Sequence, residues 1–262
     1  MPCTDPSWGY QVLHYTGDGA ASRLIPTSFP LNTGTVAVWI FPYGGVTNDD
    51  HFRSSGMATT QTNGSGFPPG FTIITAFGAT GFTVNTAANG LAATYVAIVL
   101  RSKASHLADG TYAGNSTDLR TITSGVPLAG GLLIVGRSFT YRSVRFSGDA
   151  SVVFLDDPAA AITNAIQAIA ATSFELGTDF NVNASGLTYT YFYFPGDGNI
   201  GTPPTNGITH FKIAGTGANL AVTGLGFQPA FVLARPLIAG SGPDPDHSIW
   251  RSACSHTGTN SQ

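Results

Sequence analysis

Short runs of apolar residues, separated by Gly, Pro, Ser and Thr, recur along this chain of 262 residues. Three of them read VAVWI at 36–40, LLIV at 132–135 and FVL at 231–233. Runs of this length, bounded by turn-forming residues, are typical of β-strands in sandwiches and barrels. The pattern therefore predicts an all-β protein.

A longer pattern occurs three times. Each copy starts with Tyr or Ile before a Gly-containing turn, continues through a short apolar stretch, and ends at a proline that precedes one of the apolar runs. The three copies span 15–30, 112–127 and 213–229. Repeat spacings close to one hundred residues favour tandem domains or a duplicated sandwich over a solenoid.

A second half-pattern occurs twice, and it is absent after the third copy of the first. NGL at 89–91 precedes Tyr95, and SGL at 185–187 precedes Tyr189. In each case the pattern predicts two strands joined by a turn that contains a left-handed glycine, which we align as Gly90 and Gly186. We expect a first unit over 1–104, a second over 105–200 and a partial third over 201–262, completed by a neighbour or by the first strands.

One segment departs from the strand pattern. Residues 157–171 begin with Asp-Pro and are rich in Ala, which predicts a short helix with Asp as its N-cap. Ile162, Ile166 and Ile169 would lie on one face of that helix and pack into the core. The expected fold is thus a repeated, antiparallel, jelly-roll-like β-sandwich with one short helix.

Composition supports a strand-and-turn surface and excludes several functional classes. Only 10% of residues are charged and the net charge is −3, which leaves no basic face for nucleic acid. The sequence contains no run of about 18 apolar residues, so it predicts no membrane helix. The first residues lack the features of a secretory signal. Cys3 and Cys254 lie near opposite ends, and we interpret them as free thiols, although a terminal disulfide stays possible on sequence grounds.

The third copy contains the stretch TGLGFQP at 223–229, followed by an apolar strand. This stretch resembles a segment of tail and receptor-binding proteins of tailed phages, and VNASGLTY at 182–189 resembles the hairpin that accompanies it there. The first copy has diverged to TSFP at 27–30, and the Trp and Lys that usually follow the third are replaced by LARP at 233–236. The resemblance implies a role on the virion surface, and it implies no catalytic residue.

Aromatic residues are the strongest candidates for a contact surface. Tyr189, Tyr191 and Tyr193 alternate with phenylalanines, so one strand would present tyrosines on one face and phenylalanines on the other. We expect the Phe face in the core, and the Tyr face at a subunit interface, in the core, or at a glycan, in that order. Tyr141 and Arg142 extend this candidate contact set.

Acidic residues next to histidine are a weaker candidate for chemistry. DDH at 49–51 and DPDH at 244–247 could hold a divalent ion, but polar loop tips explain them better, and we predict no metal and no cofactor. No nucleophile motif and no phosphate loop opening a helix is present.

These observations favour a structural, non-enzymatic virion protein, either a tail or fibre component or a head decoration, assembled in the host cytoplasm. We expect homo-oligomers and contacts with other virion proteins, without nucleic acid or membrane. The alternative is a lectin-like module that binds host surface glycan.

Overall fold

The structure is a computed structural model of the chain. It describes residues 3–5, 9–43, 50–57, 72–102, 107–128, 130–137, 142–149, 152–154, 162–194, 211, 213–226, 229, 231–234 and 249–252. Their regular secondary structure is almost entirely antiparallel β-strand, which confirms the all-β prediction. No helix among them is long and apolar enough to cross a membrane.

The strands of the first unit are β1 (Cys3–Asp5), β2 (Tyr10–Thr16), β3 (Arg23–Pro26), β4 (Val36–Tyr43), β5 (His51–Ser54), β6 (Ile74–Phe77), β7 (Gly81–Val84) and β8 (Thr94–Arg101). The strands of the second unit are β9 (Ala108–Ala113), β10 (Arg120–Thr123), β11 (Leu132–Gly136), β12 (Ser143–Phe146), β13 (Val153–Phe154), β14 (Ile166–Ile169), β15 (Ser173–Leu176) and β16 (Thr188–Phe194). A 3₁₀ turn, Thr86–Ala88, precedes β8, and the helix α1, Phe180–Asn183, precedes β16. The last pair is β17 (Phe231–Ala234) and β18 (Ile249–Ser252).

The first unit is a sandwich of two antiparallel sheets. The larger sheet has the order β1-β2-β8-β4-β5 and the smaller one has the order β3-β7-β6. Alternate side chains of the larger sheet, such as Val38 and Tyr95, meet Ile25 and Phe82 of the smaller sheet in one buried cluster. Burial of this apolar surface is the main stabilising contribution to the unit.

The second unit repeats this arrangement in seven of its eight strands. Its larger sheet has the order β13-β12-β11-β16-β9 and its smaller sheet has the order β10-β15-β14. Strands β9, β16, β11 and β12 therefore take the places of β2, β8, β4 and β5. Strand β1 adds an outer strand to one edge of the first sheet, whereas β13 adds one to the opposite edge of the second.

The two larger sheets also bury their outer faces in a shared cluster. Phe192 contacts Phe52 at 5.3 Å between ring centroids, and Phe194 lies 6.4 Å from Trp39. These rings belong to a cluster that joins β4, β5 and β8 to β11, β12 and β16. Because both faces of β4 and of β16 are covered, their sequences are apolar or aromatic at nearly every position.

The predicted helix over 157–171 is wrong where the structure describes that segment. Residues 166–169 form strand β14, which pairs with β15, and Ile162 forms an isolated bridge with Val152. Ile166 is fully buried and Ile162 and Ile169 pack against the same core, so the isoleucines do enter the core, but from extended backbone. Pairing with β15 outweighs the helix propensity of the alanines, which is a weak preference. Residues 155–161, with the predicted N-cap, lie outside the described residues.

The hairpin alignment also needs a correction. Asn89 and Asn183 occupy equivalent places, each six residues before the stacking tyrosine of its unit, Tyr95 or Tyr189. The left-handed residue that matches Gly186 (φ 78°) is therefore Ala92 (φ 62°) and not Gly90. Matching Asn-Gly-Leu at 89–91 with Ser-Gly-Leu at 185–187 therefore placed the turn of the first unit two residues too early.

Candidate functional site

The tyrosines of β16 lie inside the second unit. Tyr189 and Tyr193 are fully buried and Tyr191 nearly so, within the cluster that joins the two sheets of that unit. The Tyr189 hydroxyl donates to the carbonyl of Phe180 at 2.6 Å, and that of Tyr193 donates to the carbonyl of Leu128. Burial raises the pKa of all three phenols. The Tyr face is thus core, and the expectation of an exposed subunit or glycan contact at these residues is corrected.

Arg142 lies between the two units. Its guanidinium forms an ion pair with Asp50 and lies 5.5 Å from the centroid of the Trp39 ring, whose Nε1 donates to the same carboxylate. The side chain is almost completely buried, so it is an internal contact rather than an external one. Tyr141, the other member of this predicted pair, lies outside the described residues.

The first acidic cluster contributes to the same inter-unit contact. Asp50 is held by Arg142 and Trp39, and burial together with Arg142 lowers the pKa of the neighbouring His51 to about 4. Within the described part of the chain, no group of three or more His, Cys, Asp or Glu side chains could hold a metal ion. Asp49, the second acidic cluster at 244–247 and Cys254 lie outside it.

A polar cluster that the sequence reading missed closes one end of the first unit. Asn89 is fully buried, and its Oδ1 accepts from the backbone N–H of Asp18 and from the guanidinium of Arg23, both at 3.1 Å. Its Nδ2 donates to Asp18 Oδ1 and to the Ala20 carbonyl, the latter at 3.0 Å. The side chain therefore uses both of its polar atoms to hold a turn about seventy residues earlier in the chain.

The second unit has the same cluster. Oδ1 of the buried Asn183 accepts from the Asn115 N–H at 3.1 Å and from Arg120 at 3.0 Å. Its Nδ2 donates to the carbonyls of Thr117 and Gly177, at 2.8 and 2.9 Å. An asparagine that makes four hydrogen bonds, two or three of them to a turn of the first half, is thus a repeated means of joining the two halves of a unit.

A pair of stacked tyrosines lies beside each asparagine. Tyr15 stacks on Tyr95 with ring centroids 5.0 Å apart, and Tyr112 stacks on Tyr189 at 5.5 Å. The Tyr15 hydroxyl donates to a backbone carbonyl of the 3₁₀ turn at 2.8 Å, and that of Tyr112 donates to one of α1 at 2.7 Å. Burial raises the pKa of both phenols, so they stay protonated donors.

An arginine joins the two sheets in each unit; Arg53 is buried and Arg145 is half-buried. Arg53 of β5 donates to the carbonyl of Ile74, the first residue of β6, at 2.6 Å. Arg145 of β12 donates to the carbonyl of Ile166, the first residue of β14. Burial lowers the pKa of both guanidinium groups. Each arginine thus holds the larger sheet of its unit to the backbone of the smaller one.

The polar groups of these clusters hold the fold of each unit together. Six of these side chains hydrogen-bond to the backbone of the opposite half of their own unit: Asn89, Asn183, Tyr15, Tyr112, Arg53 and Arg145. The equal spacing of Asn89 to Tyr95 and of Asn183 to Tyr189 is the sequence signal that could have revealed them. Comparison with known proteins gives no match to any family model, curated protein or solved structure.

Proposed function

We propose that this chain is a structural, non-catalytic surface protein of a tailed-phage virion. The observation that carries the proposal is the repetition of one architecture: the same sandwich is built twice, with the same Asn, Tyr and Arg contacts. The TGLGFQP stretch at 223–229 and the sparsely charged surface support the virion setting. The unit is repeated and its buried polar groups bond to its own backbone, which is what we expect of a structural protein.

Assembly with further copies and with other virion proteins, in the host cytoplasm, is part of the proposal. Among the described residues, β17 pairs only with β18 and leaves its other edge open. Open sheet edges favour pairing with another chain, and we assign this edge to a partner other than a second copy. The proposal involves neither a cofactor, nor a metal, nor nucleic acid, nor membrane. The glycan-binding alternative relied on tyrosines that are buried, so no observation favours it.

Mass spectrometry of purified particles from the phage that encodes the chain tests the proposal directly. We expect peptides of this chain to co-purify with the major head and tail proteins through a density gradient. An abundant non-virion protein of the same infected lysate is the control and should be lost. Absence of the chain from particles that retain their tails would contradict the virion role.

Light scattering after size exclusion tests assembly separately. At micromolar concentration we expect a mass of at least two copies of the 27.1 kDa chain. A monodisperse monomer would refute the homo-oligomer while leaving the particle experiment to decide the virion role.

A further inference from the structure

The third copy of the first half-pattern folds locally as the other two do. The side-chain oxygens of Asp18, Asn115 and Thr216 each accept a hydrogen bond from the backbone N–H two residues later, at 2.9, 3.0 and 3.4 Å. The residue that follows each of them has a positive φ, of 76°, 58° and 72° in the same order. The turn at Thr216 is therefore a third example of the same turn.

The last hairpin also has the register of its counterparts. In all three copies an aliphatic residue faces an arginine across the antiparallel pair: Val38 and Arg53, Leu133 and Arg145, Val232 and Arg251. Val38 and Leu133 are completely buried in their sandwiches, whereas Val232 is 45% exposed. The preceding residue, Phe231, lies 5.6 Å from Phe41 and joins the cluster between the units. Strand β17 thus has its outer face covered and its inner face open.

Closure of the turn distinguishes the first two copies from the third. The N–H of Gly17 donates to the Ala93 carbonyl, and the N–H of Gly114 donates to the Leu187 carbonyl, each at 2.7 Å. A Cβ on either glycine would overlap the carbonyl oxygen of the facing turn. A Cβ on the equivalent Gly215 would meet nothing within 4 Å, and Gly215 has no positive φ. Neither contact nor backbone conformation within the described chain requires glycine there.

The residue that precedes the turn is exposed in the third copy and buried in the other two. Ile213, which precedes the turn as Tyr15 and Tyr112 do, is 55% exposed, whereas those tyrosines are buried. In each complete unit this surface is covered by the strand that follows the 3₁₀ turn or α1, and that strand also pairs with β4 or β11.

We propose that the third copy, residues 213–226 with β17 and β18, is an acceptor for a polypeptide segment of the second-half type that the described residues do not supply. That segment would add a strand to the open edge of β17 and place its turn against Gly215. The two second halves within the described chain are already paired in their own units. Strand addition to an open edge, with side chains entering complementary pockets, is an established mode of peptide recognition.

The contacts of the complete units define what this segment must carry. It needs an asparagine whose side chain accepts from the Thr216 N–H, as Asn89 and Asn183 do for their turns. It needs a backbone carbonyl that reaches Gly215 and a long strand to pair with β17. Opposite Ile213 it needs an apolar or aromatic side chain in place of the stacked tyrosine.

Two synthetic peptides that copy the second halves, residues 72–101 and 162–194, test this inference on the full chain. We expect at least one to slow amide hydrogen exchange at Gly215, Thr216 and Gly217 and in β17. The same peptide with Asn89→Ala, or with Asn183→Ala, should bind at least about tenfold more weakly, since it lacks the side chain that holds the turn.

Gly215→Ala in the full chain is the matched variant. It should leave the melting temperature of the chain alone unchanged, because the added methyl meets nothing, and weaken peptide binding by at least about tenfold. The inference is wrong if neither peptide binds, or if neither Gly215→Ala in the chain nor the asparagine-to-alanine substitution in the peptide weakens binding. It is also wrong if these amides are already protected in the chain alone, as occupation by a second copy would cause. None of these outcomes depends on whether the chain is found in virions.

Discussion

The turn at Gly17 and the turn at Gly215 have the same local geometry and different surroundings. Each is shaped by a side chain that accepts a backbone hydrogen bond two residues later, so a few neighbouring residues suffice to form it. Only the first is closed, by Asn89 and Ala93, which lie more than seventy residues further along the chain. The difference separates what a local motif encodes, the turn, from what only a distant partner supplies, the sandwich around it.

Removal of the bridging asparagines, Asn89 and Asn183, should lower the free energy of unfolding more than any other substitution in the two complete units. Asn89→Ala and Asn183→Ala each delete four hydrogen bonds in a buried site. At about 1 kcal/mol for each bond, we expect the free energy of unfolding to fall by about 4 kcal/mol, measured in urea.

The control for these variants is Asn164→Ala. The side chain of Asn164 is exposed and bonds to the polar side chains of Thr178 and Gln167, so its loss should cost less than about 1 kcal/mol. Equal losses for Asn164 and Asn89 would mean that the bridge does not join the two halves.

The glycines of the three turns should respond differently to an added methyl group. Gly17→Ala and Gly114→Ala place a Cβ against a backbone carbonyl and should cost about 3 kcal/mol each, as overpacking does. Gly215→Ala should change stability by less than about 0.5 kcal/mol. Thermal unfolding of the three variants measures this contrast, and a comparable loss at Gly215 would show that its turn is already closed.

His51 should make stability depend on pH, whereas its counterpart in the second unit, Ser143, cannot. Burial and Arg142 lower the folded-state pKa of His51 from 6.5 to about 4. Below pH 6.5 the unfolded chain binds a proton that the folded chain does not, so the free energy of unfolding falls with falling pH. The loss approaches roughly 3 kcal/mol near pH 4 and levels off below it.

Two substitutions isolate this effect from the other titrating groups. His51→Gln approximately preserves the volume, and His51→Ser copies the second unit. Either should lower stability at neutral pH and flatten its dependence between pH 4 and 6.5, in urea titrations at several pH values. A slope identical to that of the unsubstituted chain would show that His51 is not buried as a neutral imidazole.

Removal of the buried tyrosine hydroxyls should cause the smallest loss of stability, and the loss should be similar in the two complete units. Tyr15→Phe and Tyr112→Phe keep the stacked ring and remove one hydroxyl donor to a backbone carbonyl. We expect a loss of about 1 kcal/mol for each. A clear difference between the two would mean that the stacked pairs do not have equivalent roles.

The sequence predicted the fold class because apolar alternation and turn residues are local signals. It failed at residues 166–169, where an Ala- and Ile-rich segment becomes strand β14 through pairing with β15. It also placed Tyr189 on a candidate surface, because alternation assigns residues to two faces without revealing which neighbour covers each. Both faces of β16 are covered, one by the small sheet of its unit and the other by the first unit.

The buried clusters were harder to predict because their members lie far apart in sequence. Nothing near Asn183 indicates that it bonds to Asn115 and Arg120, and a comparison of the two units at equal spacing would have been needed. The repeat was readable from Gly-rich turns and prolines, whereas the Asn-to-Tyr spacing that joins the halves was obscured by the more conspicuous Asn-Gly-Leu.

Amide hydrogen exchange at three equivalent glycines, in the unmodified chain, is the most direct test of whether the third copy lacks its second half. We expect strong protection of the Gly17 and Gly114 amides, which donate to carbonyls of their second halves, and exchange close to the free-peptide rate at Gly215. Protection of Gly215 equal to that of Gly17 would contradict this, because the third copy would then already be complete.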